Sequence, residues 1–366
     1  MLFYITFIDF NEFYGPGKYR KIKGQIEAMQ VKMGEVYYTY YSYPVLYLMD
    51  GEVVLERQAA VSRRDQVSVL CSWIEKYRVI QTYIRYPLAS KWLIDMLAYQ
   101  KERHIKTILE IPTYPYDGEL EEGITKKEDW CYRKEICKYV DRIATFSMDD
   151  RIWNVGCIRL KNGVTSSDIV LHKKAKEDKR IVLIAVGTMM FWQGYERIIE
   201  GMYLYYKSGG TYDLQIKMIG GGPEEQKYKD LVAKYDLQSK VTFIGQIEVR
   251  DTDRLNELYD SADIAVSSLG GYKKGLNEWS PIKGAEYCAK GLPFICGYKD
   301  DRFSSDCKFV MNVPNRPEPI DMNAVIDFYN KVTSDQNYQD KMRDYAMHHL
   351  TWDNIMCPVI DYYLTV

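Results

Sequence analysis

Short apolar runs alternate along the whole chain with longer segments in which apolar residues recur every three or four positions. Compact apolar or alternating runs suit strands, and the 3.6-period segments suit helices. In the first half this predicts strands at residues 2–9, 36–41, 45–48, 79–84, 105–110 and 142–146. Helices are predicted between them at 18–32, 63–76, 90–101 and 128–139. Residues 162–180 are polar, turn-rich and then lysine-rich, and make the best linker. A second series follows at once, with strands at 181–186, 214–219, 241–244, 264–267 and 293–296. Its helices are expected at 195–207, 224–235, 253–261 and 281–290. Strands separated by helices indicate βαβ units around parallel sheets. The expected class is therefore α/β, with two Rossmann-like doubly wound domains facing across a cleft and ligands bound beyond the carboxyl ends of the strands.

Composition narrows the function classes. A chain of 366 residues is too long for one ordinary core and suits two. Its 46% hydrophobic and 27% charged content describes a globular protein, and a net charge of −2 argues against a nucleic-acid binder. The first ten residues read as a strand, with no basic leader, so no signal peptide is expected. No apolar stretch approaches a membrane span, and a cytoplasmic location is expected. The eight cysteines are scattered without a C-x-x-C pair, which suits reduced thiols. Four histidines, His104, His172, His348 and His349, are a poor basis for a zinc centre or a nucleophilic triad. The 33 tyrosines suit carbohydrate or membrane-surface contact, or a bias of the coding genome.

The chemistry concentrates in "NEWSPIKGAEYCAKGLP", residues 277–293. Ser280 reads as a helix N-cap and Pro281 as the first helical residue, while Gly291 and Pro293 mark the stop. The helix mouth would present free N–H groups and a positive dipole end to an anion. Lys283, in the first turn, opposes that dipole unless an anion such as a pyrophosphate offsets it. Glu286 lies one turn deeper on nearly the same face, where its carboxylate would reach two adjacent hydroxyls, as on a ribose. Glu278 lies just outside the cap. The competing reading is a surface helix with an incidental Lys283–Glu286 pair. A second glycine turn, "IKMIGGGPEE", runs through Gly220, Gly221 and Gly222, and glycine lets a backbone approach a ligand closely. The first turn of this half puts Gly187 and Thr188 at a strand end, with Gln193 and Arg197 in reach of a phosphate.

The order of these motifs, "MIGGGPE", "VTFIGQI", "LNELYDSADIAV" and then "EWSPIKGAEYCAKGLPFI", resembles the C-terminal domain of GT-B glycosyltransferases. It is most similar to retaining family 4, over about residues 181–296, and "EIPTYPYDGE" with "WQGYERIIEG" resembles a bacterial surface-polysaccharide branch. The resemblance implies an acceptor-binding domain at 1–165, a nucleotide-sugar domain at 166–345, and a C-terminal helix at 346–366 crossing back. It places Glu286 on the nucleotide ribose, Glu278 near the donor sugar, and Trp279, Ser280 and Pro281 along the diphosphate. Gly245, Gln246 and Ile247 match the turn where the base docks, and the run from Gly15 to Gly17 the N-terminal loop that closes over the donor.

Two positions depart from the family pattern. Thr188 and Gln193 stand where relatives carry an arginine and a lysine for the departing diphosphate, so Lys283, Lys273, Lys274 or Arg197 would have to substitute. No histidine follows the strand ending at Glu110. What the resemblance implies is retaining transfer of a sugar from a nucleotide diphosphate such as a UDP-sugar, with no cofactor and no metal. The acceptor is expected to be a lipid-linked saccharide, with peripheral contact at the inner membrane surface through Lys18, Arg20, Lys21 and Lys23. Acceptor candidates are Arg85, Tyr86, Glu110, Thr113 and Tyr114, with Asp117; an Arg85–Glu110 ion pair is the competing structural reading. Asp251 and Asp253 resemble a metal-binding D-x-D but are expected to start a helix. A non-catalytic partner subunit and a sugar-nucleotide epimerase are the alternatives, the first motivated by the missing cations and the second short of cleft histidines.

Overall fold

The computed structural model describes residues 1–8, 16–166, 179–248 and 251–365. The chain divides into two compact units, Met1–Lys161 with Trp352–Val366, and Asn162–Thr351. The exchanges fall at 161/162 and 351/352, beside the 165 and 345 expected from the sequence.

In the first unit the strands are β1 (Leu2–Ile5), β2 (Val36–Ser42), β3 (Val45–Asp50), β4 (Val53–Ala59), β5 (Gln81–Arg85), β6 (Lys106–Ile111), β7 (Arg142–Thr145), β8 (Arg151–Ile152) and β9 (Val155–Arg159). They form one sheet in the order β4-β3-β2-β1-β5-β6-β7-β9-β8. Its centre is parallel, with β1 hydrogen-bonded to both β2 and β5. Helices α1 (Pro16–Met33), α2 (Arg63–Lys76), α3 (Lys91–Glu102) and α4 (Ile124–Tyr132) connect these strands. Strand β1 ends four residues short of expectation because the Thr6 N–H donates to Thr39 Oγ1 (3.1 Å) rather than to a ladder carbonyl. Strand β4 was not foreseen. Its residues are mostly exposed, so they lack an apolar alternation, and only the Asp50–Gly51 turn signals it. Helix α2 carries a capping box in which Ser62 and Asp65 satisfy each other's backbone N–H groups.

The second unit is an all-parallel sheet of β10 (Arg180–Val186), β11 (Asp213–Ile219), β12 (Val241–Gly245), β13 (Ile264–Val266), β14 (Phe294–Cys296) and β15 (Val310–Asn312). Their order is β12-β11-β10-β13-β14-β15, which makes the first strand the switch point of a Rossmann arrangement. Helices α5 (Glu196–Lys207), α6 (Glu225–Lys234), α7 (Thr252–Asp260), α8 (Ile282–Ala289), α9 (Met322–Thr333) and α10 (Tyr338–His349) accompany it. As expected for the aspartates near 251, the Asp251 side chain caps α7 by accepting from the Arg254 N–H.

The centre of each sheet is buried on both faces, which explains why its central strands read as continuous apolar runs. Along β1, Phe3 and Ile5 enter one core while Leu2 and Tyr4 enter another. Along β10, Ile181, Leu183 and Ala185 face one core and Ile184 the opposite one. Helices α11 (Trp352–Ile355) and α12 (Cys357–Leu364) return to the first unit, where Trp352, Met356, Val359, Ile360 and Tyr363 pack with Ile22, Ile26 and Met29 of α1. No helix among the described residues is long and apolar enough to cross a membrane.

Helix α5 packs so tightly that a Cβ on Gly201 would lie 2.2 Å from the Ile320 carbonyl oxygen. That neighbour is backbone and cannot rotate away. Gly201→Ala should therefore destabilise the fold by about 1–3 kcal/mol, read as a lower urea midpoint at unchanged m-value.

Candidate functional site

Three turns meet at the carboxyl ends of the central strands of the second unit. The Gly187 N–H donates to the Ile219 carbonyl (2.9 Å), Gly220 N–H to Gly245 O (2.7 Å), and Met189 N–H to Gly221 O (2.9 Å). Glycine is required where the turns touch. Gly187 has φ +132°, and a Cβ there would meet Lys283 Cε at 2.9 Å and Nζ at 3.1 Å. Gly220, at φ +118°, would push a Cβ to 2.3 Å from the Gly187 carbonyl oxygen. The glycines thus let the backbone close down directly over a lysine side chain.

That lysine comes from α8. The helix begins one residue later than predicted: Pro281, with ψ 155°, is the N-cap, and Ile282 is the first helical residue. Ser280 is not the cap; it is buried, and its carbonyl accepts from Asn162 Nδ2 (2.9 Å). No side chain among the described residues caps the helix, so its first-turn N–H groups remain oriented for an anion. Lys283 Nζ donates to Gln193 Oε1 (2.9 Å) and Tyr195 Oη (3.1 Å). Burial pushes its ammonium down to about 7, against the opposing pull of the Glu286 carboxylate. Glu286 lies one turn deeper in α8, on the Lys283 side.

Gln193 had been matched to a missing lysine, and its position in the structure explains why it is there. Its Nε2 donates to the Thr188 carbonyl (3.0 Å), while its Oε1 accepts from both Ser268 Oγ (2.8 Å) and Lys283 Nζ. The amide therefore holds the lysine from α8 beside the first turn. The mouth itself is braced by a pair the sequence reading missed. Asp300 and Arg302 are both buried, joined Oδ1 to Nε at 2.8 Å and Oδ2 to Nη2 at 2.5 Å. Arg302 also donates to the carbonyls of Pro281 (2.7 Å) and Asn162. The run "YKDDRF" gives no periodic signal that would have marked them.

Other expected contacts are redistributed. Arg197 does not face a phosphate. It is 1% exposed, and its guanidinium donates to the carbonyls of Glu318 (2.8 Å), Leu269 (2.5 Å) and Pro314 (2.9 Å), a structural clamp. Lys273 is paired with Glu196, while the Lys274 ammonium lies 4.4 Å from the centroid of the Trp192 ring. Glu278 is exposed and meets Lys299 at 3.1 Å, in a short bridge that places Trp279 against Tyr298. Gly221 lies against the side chains of Gln246 and Glu225, and Gly245 (φ +81°) has open space around it. Thr188 is exposed and Ile247 half-buried. Gly15 lies outside the described residues, and Gly17 is the second residue of α1 rather than part of a loop.

In the first unit the acceptor candidates separate into two groups. Arg85 and Glu110 form a buried ion pair, Nη1 to Oε1 at 2.5 Å, and Glu110 has no exposed surface with which to touch a ligand. Tyr86 is likewise committed, with Tyr116 Oη at 3.0 Å and the Asp129 carboxylate as partners. Asp117 accepts from Arg133 (2.7 Å). Thr113 is exposed, and Tyr114 is half-buried against Trp153 and Tyr116. Lys21 is buried, so it does not belong to the solvated basic face expected for α1.

Comparison with known proteins fits this geometry. Residues 167–300 match the family model described as glycosyl transferases group 1. No curated protein matches the sequence. Among solved structures, a glycosyltransferase from Rickettsia africae aligns over 100% of this chain and 97% of its own, with TM-score 0.64 and 12% identity. Anabaena HepE in complex with UDP aligns over the whole of both chains, with TM-score 0.61 and 8% identity. The trehalose-6-phosphate synthase OtsA covers 98% of each, with TM-score 0.63 and 11% identity. The chain has the GT-B fold, and its residues 167–300 match the group 1 glycosyl transferase model, which together indicate a glycosyltransferase.

Proposed function

We propose that this enzyme moves a sugar, with retention at the anomeric carbon, from a nucleotide diphosphate to a hydroxyl of a lipid-linked glycan. The observation that carries the reading is Lys283, a half-buried lysine whose ammonium is held at an uncapped helix mouth beneath two glycine turns. A diphosphate there receives helix N–H groups and a positioned cation. Glu286, one turn deeper, suits the ribose hydroxyls, and Glu278 the donor sugar. The HepE structures hold UDP, in one case with glucose, which supports a uridine nucleotide as donor here.

In the reaction the anomeric carbon–phosphate oxygen bond breaks and the bond to the acceptor oxygen forms on the same face. The acceptor proton passes to the leaving phosphate oxygen, so no histidine base is needed. Positioning and charge stabilisation supply the catalysis, and the reading requires no metal. The acceptor and the surface-polysaccharide role rest on the resemblance of the motifs. The same holds for work at the cytoplasmic face of the membrane.

A thermal-shift screen over UDP, GDP, ADP and dTDP tests the donor site, and no stabilisation by any of them would sink it. Glu286→Ala should weaken the bound nucleotide by about 10–100-fold, the loss of a charged hydrogen bond. Glu278→Ala should leave that affinity intact and lower turnover. Unchanged nucleotide affinity in Glu286→Ala would remove the ribose contact.

A further inference from the structure

The carboxyl ends of β5 and β6 hold a second set of buried charges that the donor chemistry does not use. Glu110 accepts from Tyr83 Oη (2.7 Å), Gln25 Nε2 (2.9 Å) and Arg85 Nη1 (2.5 Å). Those three donors satisfy the carboxylate. Lys21, from α1, stands further off: its Nζ is 3.8 Å from Glu110 Oε1, too long for a hydrogen bond. Its other contact is the Phe146 ring, whose centroid is 3.1 Å away. The lysine side chain is 10% exposed and that of Arg85 7%. The ammonium has no hydrogen-bond partner among the described residues, and two buried cations share one carboxylate.

A buried, under-compensated ammonium is costly, and methionine would fill the same space without that cost. Lys21 therefore contributes little to the fold that an apolar side chain would not. Burial pushes its ammonium down to about 7, as it does for Lys283. Each unit thus places a lysine of lowered basicity beside the carboxyl ends of its parallel strands, where doubly wound sheets take their ligands. In the second unit that lysine belongs to the proposed diphosphate site.

We infer that Lys21 and Arg85 form an oxyanion subsite in the first unit, which takes a singly charged group of the acceptor, a phosphodiester or a sugar carboxylate. Two cations against one carboxylate leave a single positive charge, which matches a monoanion rather than a pyrophosphate. Assigning that anion to the acceptor rests on the transferase reading; the anion site itself does not.

The test uses the full chain carrying Lys283→Met, which removes the donor-site lysine. Dimethyl phosphate and glucuronate are titrated separately at constant ionic strength, with methyl glucoside as the neutral control. At ten-fold excess over Kd, at least one anion should raise the thermal midpoint by about 2–4 °C in a saturable way. Which anion does so identifies the acceptor group. Adding Lys21→Met should abolish the rise, and Lys21→Arg should keep it. The rise should also shrink between pH 6.5 and 8.5 as Lys21 loses its proton. Among its neighbours Glu110 stays ionised, and burial keeps Tyr4 and Tyr83 protonated. No response to either anion, an equal response to methyl glucoside, an undiminished rise at pH 8.5, or an unaltered response in Lys21→Met would each overturn the site. UDP binding by the wild-type chain is measured in parallel. Its absence would remove the donor reading and leave the anion result standing.

Discussion

Lys283→Met should lower the rate of sugar transfer by about 10²–10³-fold, the usual loss when one preorganised donor to a departing anion is removed. The fold should survive. The variant leaves Gln193, Tyr195 and the glycine turns in place, and methionine occupies the channel under Gly187 that the lysine stem now fills. Lys283 also gives the site a pH signature. Its ammonium loses the proton near pH 7 because it is buried, and a bound diphosphate restores the charge. Nucleotide affinity should therefore weaken above pH 7, by up to tenfold per pH unit, and Lys283→Met should abolish that slope. Stability runs the other way. Between about pH 7 and the ordinary lysine value the unfolded chain holds a proton that the folded chain has released, so stability rises with pH. Removing Lys283 should flatten part of that rise. Turnover in Lys283→Met within threefold of wild type, measured with labelled sugar nucleotide, would mean that the helix N–H groups suffice and the lysine is structural.

Glu110→Gln should destabilise the protein by about 3–5 kcal/mol, the cost of breaking a buried ion pair from one side. The amide fills the same volume and still accepts from Tyr83 or Gln25, so the loss is one of charge. Burial raises the carboxyl of Glu110, but Arg85 and Lys21 outweigh it and hold the group below its ordinary range. The carboxylate is therefore ionised wherever the protein is folded near neutrality. Its neutral replacement leaves Arg85 and Lys21 facing each other without a counter-charge. A second substitution, Lys21→Met, should recover part of the loss, giving a coupling between the two positions. Chemical denaturation of the two single variants and the double variant measures it. A Glu110→Gln protein as stable as wild type would show that shape alone, not charge, holds this region.

How much was legible in the sequence differs between the two halves for a physical reason. In the second unit the signals are local. Strand periodicity, the glycine turns and the helix start and stop each occupy a few consecutive residues, so β10 to β14 and α5 to α8 were placed to within a few residues. Among the elements not predicted, β4 is an exposed edge strand and β15 is short with no fully buried residue, so neither has local contrast; β8, β9, α9 and α10 were not predicted either. Among site residues, Lys283 stood out because a cation at a helix mouth opposes the dipole. The role of Gln193 did not, because it depends on a lysine 90 positions away. Arg197 was misjudged for the same reason. A charge close in sequence to a glycine turn suggests a ligand contact, but the carbonyls of Leu269, Pro314 and Glu318 reach it first.

By itself the sequence determined the α/β alternation, the two units, the helix that carries Lys283 and Glu286, and the glycines that mark the turns. Each follows from side-chain period or backbone freedom within a short stretch of chain. The tertiary structure alone decided which charges are spent and which are available. Arg197 and Glu110 are enclosed by partners distant in sequence, while Lys21 is buried and Lys283 half-buried with incomplete compensation. Burial and pairing depend on which strands lie side by side in the sheet, and no run of consecutive residues encodes that.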